Sequence, residues 1–271
     1  MNKPRIVFTI LGCGSSPGVP RIGNDWGDCD PNNPKNERLR CSVLVEKFNE
    51  NNDVTRVLID ASPDIRQQLL RENVSKLDGA LFTHPHADHI HGIDDLRAFW
   101  IIERGRRVDT YADAPTSERL HEAFGYCYKT PEGSSYPPIL NDHRIVPYEP
   151  VTIDGAGGPI TALPYEQTHG DIVSLGFRIE NFGYSSDVNA LSDRAYDALN
   201  GVDIWIVDAL RYKPHPSHFS VDEALEAARR VNAARTIFTH MHIDLDYETL
   251  KAELPKGVEP AYDGMKIEIF T

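Results

Sequence analysis

A chain of 271 residues, 40% hydrophobic and 25% charged, can bury a sizeable core and is read as one domain spanning 1–271. Its formal net charge of -13 excludes a broad electrostatic footprint for large nucleic acid or an anionic membrane, so an anionic substrate needs local compensation, which divalent cations provide. Cys13, Cys29, Cys41 and Cys127 form no Cys-x-x-Cys pair, the basic start MNKPR leads into too short an apolar run for a signal peptide, and no later stretch approaches a membrane span, which together predict a cytoplasmic protein with reduced thiols.

In chain order, β-branched apolar runs predict strands over 5–11, 41–46, 54–60 and 79–83, then over 160–165, 173–180, 202–207, 236–240 and 266–270. Helical spacing falls at 63–72, 89–103, 115–124, 193–199 and 221–232. Strands first and alternating helices later suggest sheets packed between helix layers, an α/β (α+β) architecture. The stretch 126–140 (YCYKTPEGSSYPPIL) breaks both periodicities and reads as a flap or as a surface loop. Ser220 and Glu223 have capping-box spacing before the last long helix, which puts His218 in the preceding loop, where functional side chains gather.

Directly after 79–83 stands THPHADH, with His84, His86, Asp88 and His89. Imidazole nitrogen mixed with carboxylate oxygen suits zinc, manganese or iron better than calcium. In an extended segment His84 and His86 turn to one side, and after a bend Asp88 and His89 can face a second ion, so the spacing signals two metals. Two ions need more donors, and His169, Asp187 and His240 each end an apolar segment. A carboxylate such as Asp187 can bridge two cations with a shared water or hydroxide between them.

On these residues the chain resembles the metallo-β-lactamase fold superfamily, whose members carry HxHxDH, then a His, a bridging Asp and a final His in that order. The resemblance implies a four-layer αββα sandwich with His84, His86 and His169 on one metal, Asp88, His89 and His240 on the other, and Asp187 bridging. LGCGSSPGVPR, LIDASPDIRQQLL, HADHIHGIDDLR, YSSD and AYDGMKIEI make it most similar to the phosphodiesterase branch, including phosphoribosyl cyclic phosphate phosphodiesterases and, more distantly, tRNA 3′-end processing endonucleases. In that branch a His before a late helix is the general acid, which His218 in PSHFSVDEA matches. The catalytic set implied is His218 with Asp88. WGDCDPNNPKN keeps only Cys29 of the cysteine cluster behind a structural zinc in some relatives, and Ile243 replaces the late His, so no structural zinc is expected. His242 lies two residues from His240 and competes with it as last ligand; His240 is favoured.

Some signals are discounted. Gly12, Gly14 and Gly18 have the wrong spacing for a dinucleotide loop, and Pro17 and Pro20 forbid its helix, so a tight turn beside the site is the better reading. Asp25, Asp28 and Asp30 lack an EF-hand frame. His91, Asp94 and Asp95 read as helix-start capping, with Asp60 or Asp95 as the alternative carboxylate behind a ligand imidazole. Arg21, Arg97 and Arg211 could each grip a phosphate, though surface ion pairing is the commoner fate.

The expectation is therefore a hydrolase with two divalent cations, Zn2+ by default and Mn2+ as competitor, cleaving a small or cyclic nucleotide-like phosphodiester by attack of a metal-bridged hydroxide, with His218 protonating the leaving group. A tRNA-processing endonuclease would be expected to carry a basic arm that this acidic chain lacks. A lactonase or thioesterase on the same metals, and an inactive metal-binding regulator, are the other readings. A homodimer is left open.

Overall fold

The structure, a computed structural model, describes residues 3–270; Met1, Asn2 and Thr271, the ends of the expected domain and of its basic start, lie outside the described residues. β1 (Arg5–Gly12), β2 (Ser42–Phe48) and β3 (Val54–Ile59) form an antiparallel meander. After α1 (Ile65–Arg71), β4 (Gly79–Leu81) adds parallel to β3. Then come α2 (Ala87–Ile90) and α3 (Arg97–Ile102), followed by β5 (Val108–Ala112), α4 (Ala114–Tyr128) and β6 (Leu140–Arg144), with both strands parallel to their predecessors.

A second sheet repeats the plan. β7 (Val151–Ile153), β8 (Ile160–His169), β9 (Ile172–Ile179) and β10 (Phe182–Ser185) are antiparallel neighbours. β11 (Ile204–Asp208), β12 (Arg235–Thr239) and β13 (Val258–Pro260) add in parallel, each reached through one of α5 (Asp193–Ala198), α6 (Val221–Val231) and α7 (Tyr247–Glu253). β14 (Met265–Phe270) then crosses back to pair with β1, so each sheet has seven strands.

Period-two alternation sorts the apolar side chains into layers. Val43, Val45, Val57 and Ile59 face the second sheet, while Leu44 and Leu58, between them in sequence, face the helices packed on the first. Phe8 of β1 stacks on Phe182 of β10 across the middle, centroids 3.6 Å apart. Ala195, Ala224 and Ala228 of α5 and α6 extend the same core over the far face of the second sheet. The result is the expected αββα order, helix on sheet on sheet on helix.

The structure corrects several elements. β5, β6, β7, β10 and β13 were not expected, each being three to five residues long, too short for its period to stand out, and α7 was not expected either. The helix expected over 89–103 is three pieces, α2, a 3-10 turn at Ile93–Leu96, and α3. Gly92 explains the break, because a Cβ there would lie 1.9 Å from the Ser62 carbonyl. α4, capped by Asp113 on the Thr116 amide, kinks at Phe124, where the expected helix ends, and continues to Tyr128; β6 starts at Leu140, so the irregular part of the expected flap shrinks to 129–139. Among the described residues, no helix is long and apolar enough to cross a membrane.

Candidate metal centre

The cluster forms where strands of both sheets end on one edge. The run after β4 turns into α2, with His86 at the helix N-cap and Asp88 and His89 inside its only turn. Asp60 follows β3, Asp187 lies two residues after β10 and His240 follows β12; all three have left-handed backbones, with φ of 63°, 53° and 58°. That conformation turns the chain sharply at a strand end and is best tolerated by short polar residues and His. His169 is the last residue of β8.

Two groups result, with donor atoms in each within 4.8 Å of one another: His84, His86, His169 and Asp187, and Asp88, His89, Asp187 and His240. Asp187 belongs to both. Its Oδ1 lies 3.1 Å from His89 Nε2, and its Oδ2 lies 3.7 Å from Nε2 of His84 and of His169 and 3.4 Å from that of His240. Asp88 Oδ2 is 3.5 Å from His89 Nε2 and 3.7 Å from His240 Nε2. All seven sequence-predicted ligands are brought together. His242 is not among them, its Nδ1 lying 3.3 Å from Asp244 and 3.5 Å from Arg21.

Hydrogen bonds from behind decide which nitrogens face inward. Thr83 anchors Asp60 with its amide and hydroxyl, each at 2.8 Å, and the same hydroxyl accepts from His84 Nδ1 at 2.9 Å. His89 Nδ1 donates to Asp60 Oδ2 at 2.7 Å, and His169 Nδ1 to the Ser217 carbonyl at 2.6 Å. The Nε2 atoms of His84, His89 and His240 are buried without a hydrogen-bond partner. His169 Nε2 and His86 Nδ1 meet at 3.2 Å. Buried imidazole nitrogens converging unpaired on shared carboxylates form a donor set that fits divalent cations.

Electrostatics agree with that fit. Burial, helped by His89, pushes His84 well below the usual imidazole range. Burial also opposes charge on His240, but Asp187, Asp88 and Asp208 outweigh it and hold the ring up to about 9. Against the cost of burial, the surrounding imidazoles hold Asp88 and Asp187 well below the carboxylate range. Without metal, protons on His240 and His89 therefore balance the carboxylates, and bound cations would replace them.

His218 sits beside both groups, its ring 4.7 Å from that of His169 and stacked 4.6 Å from that of His240. Its Nδ1 donates to Asp208 Oδ2 at 2.7 Å, and the Val188 amide holds that oxygen at 3.0 Å. Asp208, at the end of β11, was missed in the sequence; the signal was there, because WIVD ends a strand on an acid as LID does at Asp60. Thr83 was missed too. Of the two carboxylates considered behind a ligand, Asp60 is brought in, while Asp95 is exposed in the 3-10 turn.

The site opens through exposed His86 into two clefts. One, of roughly 620 Å³, runs along Asp88 to Arg21 and Arg40. Its wall is the 12–18 glycine turn, where Ser16 Oγ donates to Asp88 Oδ2 at 2.5 Å. The other, of roughly 490 Å³, lies between His169 and the 216–217 loop. Arg97 instead pairs with Asp94, and Arg211 binds the Lys213 and Pro214 carbonyls. All four cysteines are free and buried, Cys29 beside Val19 and Ile243.

The sequence model of the beta-lactamase superfamily domain matches residues 55–241. The solved structure of a diphosphatase from the PhnP family superposes with a TM-score of 0.86 at 37% identity, covering 98% of this chain and 97% of that one. An octanoyltransferase of Porphyromonas gingivalis is 29% identical over 263 residues, 95% of this chain and 50% of that protein. A ribonuclease Z of Aeropyrum pernix is 28% identical over 179 residues, 65% of this chain and 49% of that protein. The chain thus spans about half the length of these two curated relatives.

Proposed function

The chain belongs to the beta-lactamase superfamily and is a metal-dependent hydrolase, and from that premise we propose that it cleaves small phosphodiesters with two metal ions and His218 as general acid. The observation that carries this reading is the pair of ligand groups sharing Asp187, with His218 held against them by Asp208. His84, His86 and His169 would hold one cation and Asp88, His89 and His240 the other, with Asp187 common to both. Zinc is favoured by the number of imidazoles, and manganese competes through the carboxylates. Bound there, the ions supply Lewis acidity toward the phosphoryl oxygens and acidify water.

The protein's own groups do the rest. Asp88, fixed by the Ser16 hydroxyl, and Asp187 keep their carboxylates on the reacting face. Asp208 accepts the hydrogen bond from Nδ1–H of His218, so the proton this ring can give is on Nε2. That proton goes to the leaving alkoxide, while the Ser217 carbonyl fixes the neighbouring His169. The ribonuclease Z relative supports an RNA-cleaving alternative, but the charge of -13 weighs against a long polyanion.

Hydrolysis of bis(p-nitrophenyl) phosphate by zinc- and manganese-loaded protein tests the reading. Asp187→Ala should abolish turnover together with one equivalent of bound metal. His218→Ala should keep the metal and lose about 10²–10⁴-fold in kcat on dithymidylate, whose alkoxide needs the proton, and much less on the nitrophenyl ester, whose leaving group does not. A fully loaded protein that leaves the diester intact would refute it and turn attention to lactones and thioesters.

A further inference from the structure

The two clefts meeting at His86 differ in charge. The first carries the two cations Arg21 and Arg40 against the single acid Asp88, while the second carries Asp171 and no Arg or Lys among its lining residues. Arg40 uses Nε on Asp64 at 3.0 Å. A Cβ built on Gly18 would lie 3.6 Å from Arg40 Nη1, so the side chain lies over the bare glycine turn that walls the cleft. Arg21 touches Asp25 only loosely, at 3.7 Å, and its Nε is buried with no hydrogen-bond partner. Ile22 next to it is wholly exposed at the cleft mouth, an apolar surface beside two cations. Such a combination suits a phosphate carried on a sugar or ring. The second cleft borders Ser217, the residue before His218.

Resting on the phosphodiesterase reading above, we propose that Arg21 and Arg40 form an anion subsite for a phosphate on the half of the substrate that stays with the scissile phosphoryl group, and that the uncharged alcohol leaves through the cleft at Pro216 and Ser217. Water adds its oxygen to phosphorus and loses a proton to solvent, the bond from phosphorus to the alcohol oxygen on the His218 side breaks, and His218 passes its Nε2 proton to that oxygen and is reprotonated from solvent. An anionic leaving group would be disfavoured by Asp171, whereas an anionic retained group meets two guanidinium forks.

Calorimetric titration of the zinc-loaded protein with thymidine 3′-phosphate and thymidine 3′,5′-bisphosphate tests the subsite without turnover. The bisphosphate should bind about ten- to a hundredfold more tightly, the scale of charge-assisted hydrogen bonds. The ratio should fall toward one in Arg21→Ala and in Arg40→Gln, with Arg21→Lys in between. Arg40→Gln also removes the guanidinium from Asp64, which keeps only the Arg40 amide on the same oxygen, so Arg21→Ala carries the test if that variant folds poorly. Equal affinities in the wild type overturn the subsite.

Polarity is read from 5′-phosphorylated dithymidylate. The expected products are thymidine and thymidine 3′,5′-bisphosphate. Two molecules of thymidine 5′-phosphate, or no cleavage by a protein that hydrolyses bis(p-nitrophenyl) phosphate, overturn it. A protein that shows the affinity ratio but cleaves no diester would instead sink the phosphodiesterase reading and leave the anion subsite standing.

Discussion

His89 shows how single residues set the chemistry. Its ring is fixed by Asp60 at Nδ1, Asp60 is fixed by Thr83, and Thr83 in turn orients His84, so one hydroxyl aligns two ligand rings. Asp60→Asn keeps the shape and removes the charge that pulls on the imidazole. Metal affinity should fall about 10–100-fold while the fold persists, as read by competition with a chelating dye and by circular dichroism. Unaltered affinity would show that Asp60 is only a packing group. The seven candidate donors were legible because donor type and spacing are properties of the chain. Asp208 and Thr83 were passed over, since a lone acid or threonine at a strand end is usually solvated or capping, and only proximity to His218 or His84 gives it a role.

Among elements, the strands deliver residues of the site through a repeated device, a strand followed by a short polar residue or His in a left-handed conformation, at Asp60, Asp187 and His240. The sequence displays the residue, while the turn that aims the side chain is set by the neighbouring strands. α2 shows the converse. Ile90, Ile93, Leu96 and Phe99 are all buried at three-residue spacing, which imitates one helix and led to the 89–103 expectation. Gly92 interrupts it by packing on Ser62, and the interruption lets Asp88 and His89 sit in a single turn over the metal groups. Gly92→Ala should therefore cost about 1–3 kcal/mol in urea unfolding, the range for overpacking, and should weaken metal binding as well. Wild-type stability in that variant would rule out the close approach.

On the scale of the whole molecule, the donors come from both sheets: His84, His86, Asp88 and His89 follow β4, whereas His169, Asp187 and His240 end strands of the second sheet. Metal held by these donors would tie the two sheets together, and its removal should lower the melting temperature. The sign of the pH effect follows from His240. A group whose pKa rises on folding stabilises the folded chain below its unfolded value, here 6.5, and stops doing so as pH passes the folded value of about 9. Metal-free protein should lose thermal stability over that window. The cation displaces the same proton, so metal should bind more tightly as pH rises across it. Melting curves of chelator-treated and zinc-loaded protein at pH 6.5, 7.5 and 9 check both, and a metal-free melting temperature that climbs with pH would contradict the assignment. The layer order was legible because period-two and helical patterns record which faces must leave water. The seven donors were legible because coordination chemistry limits which side chains can serve. Only the tertiary structure turned His242 toward Asp244 and Arg21, brought Asp208 to His218 and put Arg21 and Arg40 in one cleft, because those relations arise from packing rather than from any local pattern.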